Sequence, residues 1–136
     1  MSVTFRPCVL IPCYNHGAMM ASVLARLAPF DLPCLVVDDG SDETTRRTLE
    51  ALAADRPQVT LLRLAENSGK GAAVMQGLKA CADRGFTHAV QVDADGQHAI
   101  EDIPKLLALA GRHPDALISG QPVYDRSEEH TLNSSH

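Results

Sequence analysis

Asp93 and Asp95 stand one residue apart in Val92-Asp93-Ala94-Asp95-Gly96-Gln97-His98. If the chain stays extended there, both carboxylates point the same way, and Gly96 then turns the chain. Two hard oxygen donors so arranged suit Mg2+ or Mn2+, with phosphate oxygens of a ligand completing an octahedron. Gln97 adds a carbonyl oxygen and His98 an imidazole, although His98 taken singly reads as a surface residue. The loop is no EF-hand, because Gln97 occupies the third acidic position and no closing Glu follows. The plainer alternative is a solvated acidic turn.

Three other short segments carry chemistry of a matching kind. In Asn67-Ser68-Gly69-Lys70-Gly71, glycines let backbone N–H groups approach a phosphate and Lys70 adds a positive charge. This is not a Walker A loop, which would need Gly at position 64 and Ser or Thr at position 71, where the chain has Leu64 and Gly71. In Val37-Asp38-Asp39-Gly40-Ser41-Asp42, adjacent carboxylates repel one another and need partners. A turn requires only one of them, with Ser41 or Asp42 as helix cap, so the doubled acid suggests one carboxylate left over for a ligand's N–H or O–H. In Pro12-Cys13-Tyr14-Asn15-His16-Gly17, Pro12 has no N–H to donate, so a strand ladder should stop there. Tyr14 then offers a flat ring to a base or sugar. The bland alternative is a strand-to-helix turn capped by Asn15.

These segments need a scaffold that brings them together, and the hydrophobic pattern supplies one. Cys8 to Ile11, Leu35 to Val37, Val59 to Leu64 and Ala89 to Val92 are apolar runs of strand length, with Ala116 to Ile118 a weaker fifth. Between them apolar residues recur at helical spacing: Met20, Val23, Leu24 and Leu27; Leu49, Leu52 and Ala53; Val74, Leu78 and Cys81; Ile103, Leu106, Leu107 and Ala110. For the last helix, Asp102 is the expected cap, with Pro104 in the first turn and Gly111 just past the end. Strand–helix alternation of this kind predicts an α/β fold, a mainly parallel sheet with helices on both faces. Ligands of such sheets sit at the carboxyl ends of the strands, so the loops after residues 13, 37, 64 and 92 are the ones to inspect.

The 136 residues, 45% hydrophobic and 21% charged, suffice for one core and exclude wholesale disorder. A net charge of −5 with scattered basic residues argues against nucleic acid as a partner. No apolar run approaches the ~20 residues of a membrane span, and the N-terminus is a poor signal peptide. Cys8, Cys13, Cys34 and Cys81 have neither metal-site spacing nor a C-x-x-C, and read as small buried hydrophobes. His16 and His88 have no visible partners in the sequence. The stretch 125–136 has no period and reads as a disordered or foreign tail, leaving 1–124 as the folded domain.

Taken in order, Ile11-Pro12-Cys13-Tyr14-Asn15, Val37-Asp38-Asp39-Gly40-Ser41-Asp42, Asn67-Ser68-Gly69-Lys70-Gly71 and Asp93-Ala94-Asp95-Gly96-Gln97-His98 resemble the motifs of family 2 glycosyltransferases with the GT-A fold. The Asp-Ala-Asp-Gly-Gln-His form is most similar to the dolichol-phosphate mannosyltransferase-like branch. The resemblance spans about residues 7 to 124 and implies metal-assisted, inverting transfer of a sugar from a nucleotide-diphosphate sugar to a lipid phosphate or a saccharide. It implies that Pro12, Tyr14 and Asp39 hold the nucleoside, Asp39 through the base. Asn15 stands where many members carry Glu. Asp93 is expected near ribose and metal, Asp95 and Gln97 on the Mg2+ or Mn2+, and Lys70 at the diphosphate. Members usually continue into an acceptor half, so the expectation is an N-terminal donor-binding part that binds donor without transferring it. No general base is visible outside the donor loops, Asp125 being a remote candidate. A cytoplasmic location, at the inner face of a membrane through peripheral association, goes with a lipid-phosphate acceptor. The rival readings are a haloacid-dehalogenase-type phosphatase, which matches Asp93-Ala94-Asp95-Gly96 but needs Thr where Gln97 stands, and a non-catalytic nucleotide-binding module.

Overall fold

A computed structural model describes residues 5–15, 17–93, 100, 103–112 and 118–119. Within them the chain alternates β1 (Pro7–Cys13), α1 (Gly17–Leu27), a 3-10 turn (Ala28–Phe30), β2 (Cys34–Asp39), α2 (Glu43–Ala54), β3 (Val59–Leu64), α3 (Lys70–Asp83), β4 (His88–Gln91), α4 (Ile103–Arg112) and β5 (Ile118–Ser119). All pairings are parallel and the strand order is β3-β2-β1-β4-β5. The predicted α/β class therefore holds. Both faces of the central strands are covered, as their unbroken apolar runs require.

Alternation along β1 sorts the core into two layers. Val9, Ile11 and Cys13 pack with Met20, Val23 and Leu24 of α1, Leu49 of α2, and Ile103 and Leu106 of α4. Cys8 and Leu10 face the other way, onto Ala73 and Cys81 of α3. Among the described residues α3 alone covers this face, over β2 and β1, and returns the chain from the β3 edge to β4.

The face that α3 buries is shifted from the predicted stripe. Ala73, Gly77 and Cys81 are buried, whereas Val74 and Leu78 are half-buried flanks. Gly77 explains the shift. A Cβ there would lie 2.4 Å from Leu10 Cδ1 and 2.9 Å from Val37 Cγ2, so the helix sits on the sheet at a distance only small residues allow. Further along the same seam Cys8 Sγ and Cys81 Sγ meet at 3.0 Å, joining β1 to the last turn of α3. Their shared hydrogen bond, and then burial, push the Cys8 thiol up. Burial pushes Cys34 up to about 12. All four cysteines are buried thiols, as read from the sequence.

Two boundaries and one side chain differ from expectation. β1 runs through Pro12 to Cys13, pairing Pro12 with Val37 and Cys13 with Asp38, so the ladder to β2 does not stop at the proline. The missing N–H falls on the other side. Val9 N–H donates to Pro33 O on the β2 side and Val92 N–H to Leu10 O on the β4 side, so even-numbered residues of β1 address β4. Pro12 cannot continue that ladder. Gly111 lies inside α4 rather than past its end. His88 does have partners, its Nδ1 lying 2.8 Å from Thr87 Oγ1 and its ring packing edge-on against Phe5. Asp102 and the 125–136 segment lie outside the described residues, as does Asp125.

The close seat of α3 gives a direct test. Gly77→Val adds bulk where Leu10 and Val37 already crowd and carries little of alanine's helix-propensity gain. It should lower stability by about 1–3 kcal/mol in urea unfolding. An unchanged midpoint would show that α3 stands off the sheet.

Candidate functional site

Because all strands are parallel, the loops after β1, β2, β3 and β4 leave the same edge of the sheet. β1 and β4 lie side by side, yet the chain leaves β1 towards β2 and leaves β4 towards β5. That reversal is the topological switch point at which open α/β sheets bind ligands. Pairing between β1 and β4 ends at Leu10 with Gln91, and Pro12 prevents its renewal, so the crevice opens where the sequence places Tyr14 and Asp93. Tyr14 is 45% exposed there.

The tip of β2 holds the crevice's wall in place. Successive residues of a strand face opposite sides, so Asp38 points to the α1–α2 layer and Asp39 to the α3 layer. Asp38 is fully buried. Its Oδ2 accepts from Arg63 Nη1 at 2.6 Å and its Oδ1 from Ser41 N–H at 3.0 Å. Arg63 is its cross-strand neighbour in the β2–β3 register, and its other Nη donates to Ser41 O. Asp39, 3% exposed, accepts at Oδ1 from Ser68 N–H (2.8 Å) and at Oδ2 from Gly69 N–H (2.9 Å) and Asn67 Nδ2 (3.2 Å). The expectation that one of the two carboxylates is left unpaired is therefore corrected. Each is held by its own set of donors, because a buried carboxylate without hydrogen bonds would be too costly.

Gly40 makes this clasp possible. Its φ is +70°, and a Cβ would fall 2.3 Å from Asn67 N and 2.4 Å from Glu66 C, so the two loops touch backbone to backbone. The β1 loop is tied in by Asn15, at φ +56°. Its N–H donates to Ser41 Oγ and its Oδ1 accepts from Asp42 N–H. Its side-chain oxygen thus serves the start of α2 rather than capping α1. Asp42 itself caps α2 by accepting from Thr45 N–H, which holds its carboxyl below the usual range.

Lys70 and Asp93 come together at the crevice. Lys70 Nζ lies 2.9 Å from Asp93 Oδ1, so the glycine–lysine turn and the acidic loop meet as the paired motifs required. Lys70 opens α3, whose N-cap Gly69 gives no side-chain cap. The first-turn N–H groups of that helix therefore carry positive potential towards the loop. A Cβ at Gly71 would meet nothing within 4 Å among the described residues, so no packing demands glycine there. Asp95, Gln97, His98 and His16 lie outside the described residues.

Residues 8–136 match the profile of Glycosyl transferase family 2. The chain belongs to that family. Its relatives include an undecaprenyl-phosphate mannosyltransferase of Micrococcus luteus, 35% identical over 87% of this chain and 49% of that protein. A polyprenol monophosphomannose synthase of Mycolicibacterium smegmatis is 34% identical over 88% of this chain and 46% of its own length. A UDP-N-acetylglucosamine–dolichyl-phosphate N-acetylglucosaminyltransferase of Methanococcus voltae is 30% identical over 93% and 50%. The chain thus spans about half the length of these relatives. Among solved structures, a mannosyltransferase from Pyrobaculum calidifontis in complex with GDP-Man and Mn2+ superimposes with a TM-score of 0.50. It is 25% identical and covers 58% of this chain and 26% of that one. The fold is GT-A-like and corresponds to part of such a domain. Family membership also displaces the phosphatase reading, whose nucleophile motif opens its fold, whereas Asp93 follows the fourth strand.

Whether the residues present suit a divalent cation can be judged from Asp93. Its carboxylate is a hard oxygen donor, and a cation already sits on it in the form of the Lys70 ammonium. Among the described residues no group of three His, Cys, Asp or Glu surrounds one point. The donor chemistry fits, with Asp93 as the described member.

The sequence reading gave no individual role to Arg63, Asn67 or Ser68. Arg63 is the lone charge in Val-Thr-Leu-Leu-Arg-Leu, and the strand's alternation puts it on the face of Asp38, so its role was open to a register argument. The Ser68 and Gly69 amides leave no trace in residue types. The clasp they form has a measurable consequence. Asp39→Asn turns an acceptor into a donor facing amide N–H groups, and should cost about 1–3 kcal/mol of stability in urea unfolding. A neutral result would mean that Asp39 is not held by the loop.

Proposed function

We propose that this chain forms the donor-binding half of a glycosyltransferase, which moves a sugar from a nucleotide-diphosphate sugar to a lipid phosphate. One observation carries the reading: Lys70, Asp93 and the uncapped start of α3 converge where β1 and β4 part. A positive helix terminus and an ammonium suit a diphosphate, and a neighbouring carboxylate suits its metal.

In this reading Pro12 and Tyr14 border the nucleoside, the Tyr14 ring lying against base or sugar. Asn15 has its Oδ1 taken by Asp42, which leaves Nδ2 for the ligand. A base contact by Asp39 requires it to share its carboxylate with Ser68, Gly69 and Asn67. Asp93 serves ribose and metal. Asp95 and Gln97 complete the metal's protein donors, and Lys70 binds the diphosphate.

A bound Mg2+ or Mn2+ would neutralise charge on the departing diphosphate. The chain's part is to orient. The clasped β2 and β3 loops fix Lys70 and the α3 terminus against the diphosphate before the reaction begins, so little reorganisation is needed as charge develops. A lipid-phosphate acceptor is already anionic and needs no general base. The names of the relatives support the same acceptor class. Such an acceptor would draw the protein to a membrane's inner, cytoplasmic face. Among the described residues no helix is long and apolar enough to cross it.

Calorimetric titration with UDP-, GDP- and other nucleotide-diphosphate sugars, with and without Mn2+, tests the reading. Micromolar, Mn2+-enhanced affinity is expected for one nucleotide class. Asp95→Asn should remove the Mn2+-dependent part and leave thermal stability unchanged. Equal metal-dependent affinity in both proteins would overturn the metal assignment.

A further inference from the structure

Lys70 and Asp93 are each expected on the donor, yet in the protein alone they are bound to each other. Asp93 is only 15% exposed, so its carboxylate draws little solvation and needs a cation nearby, whereas Lys70 is 46% exposed and free to swing on a long side chain. Asp93 Oδ1 also lies 3.4 Å from Gln91 Nε2, a weak contact. The ammonium is thus a positive charge held on that carboxylate, at an oxygen that a divalent cation could also take. A divalent cation and an ammonium on one oxygen repel strongly at such separations. Each therefore weakens the other's hold on that carboxylate.

The displaced lysine has somewhere to go. It is tethered at the first residue of α3, beside Gly69 and Gly71, where an added Cβ would meet nothing within 4 Å among the described residues. A diphosphate seated there would receive it.

We propose that Lys70 is a built-in stand-in for the divalent cation: it occupies Asp93 while no metal is bound, and is exchanged onto the diphosphate when metal and nucleotide arrive. This deepens the proposed donor site and rests on it. The exchange couples the two ligands. Metal alone must displace Lys70 with no new anion to receive it, and diphosphate alone must draw Lys70 away from a half-buried carboxylate. Each therefore binds better in the presence of the other, and the coupling is reciprocal. Metal-free nucleotide and nucleotide-free metal are both disfavoured.

The full chain, Lys70→Met and Asp93→Asn are compared by Mn2+ titration followed by electron paramagnetic resonance, without nucleotide. Lys70→Met should bind Mn2+ about two- to five-fold more tightly than the parent, the range expected for removing one partly exposed ion pair. It should also lose affinity for a nucleoside diphosphate. Asp93→Asn should bind Mn2+ more weakly. A second readout follows Lys70 itself by acetylation and mass spectrometry, with Lys79 and Lys105 as internal references. Its relative rate should rise on adding Mn2+ to the parent, and should already be high in Asp93→Asn without metal. If Lys70→Met binds Mn2+ no better than the parent while the parent still binds nucleoside diphosphate in a Mn2+-dependent way, the stand-in is refuted and the donor site stands. If none of the three proteins binds Mn2+ or nucleotide, the donor site falls and the stand-in with it.

Discussion

Two adjacent carboxylates buried at the end of a strand each need their own hydrogen-bond donors, and here they find them on opposite faces of the sheet. Asp38 takes a guanidinium from β3 and the N–H of Ser41. Asp39 takes the N–H groups of Ser68 and Gly69 and the amide of Asn67. That requirement fixes much of what lies nearby. It sets where the β2 loop turns, it brings the β3 loop against Gly40, and it aims the first turn of α3. The charges belong to the scaffold before they belong to any ligand.

The remaining geometry follows from the sheet's order. Placing β1 beside β4 puts a reversal of direction in the middle of the sheet, and a proline two residues beyond the last β1–β4 pair keeps the edge open there. α3 can reach that opening because Gly77 lets it lie directly on Leu10 and Val37. A helix held further off would carry Lys70 away from Asp93. The small residues in the middle of α3 and the ion pair at its start are thus two ends of one constraint.

Much of this was legible in the residues. Strand and helix order, the edge of the sheet that carries the loops and the buried state of the cysteines followed from pattern and spacing, while the placing of Lys70 at the same end of the donor as the Asp93 loop came from the resemblance of the motifs. Pattern failed where backbone groups decide. Asp39 looked unpartnered because its partners are mostly amide N–H groups, which every residue has and no residue type announces. Pro12 looked like a stop because its missing N–H was not assigned to one side of the strand; the side depends on register, which a sequence does not print. The buried stripe of α3 was misplaced towards Val74 and Leu78 because hydrophobicity points to large residues, while a helix pressed against a sheet buries its smallest ones.

The central claim is that the carboxyl edge of the sheet, at the parting of β1 and β4, receives a nucleotide diphosphate against the start of α3. Amide chemical-shift mapping with a Mg2+–nucleoside diphosphate tests it most directly. The account predicts the largest shifts at Tyr14, Gly69, Lys70, Gly71 and Asp93, with Arg6, Gly85 and Thr87 at the opposite edge unmoved. Shifts centred on that opposite edge, with the start of α3 silent, would contradict it.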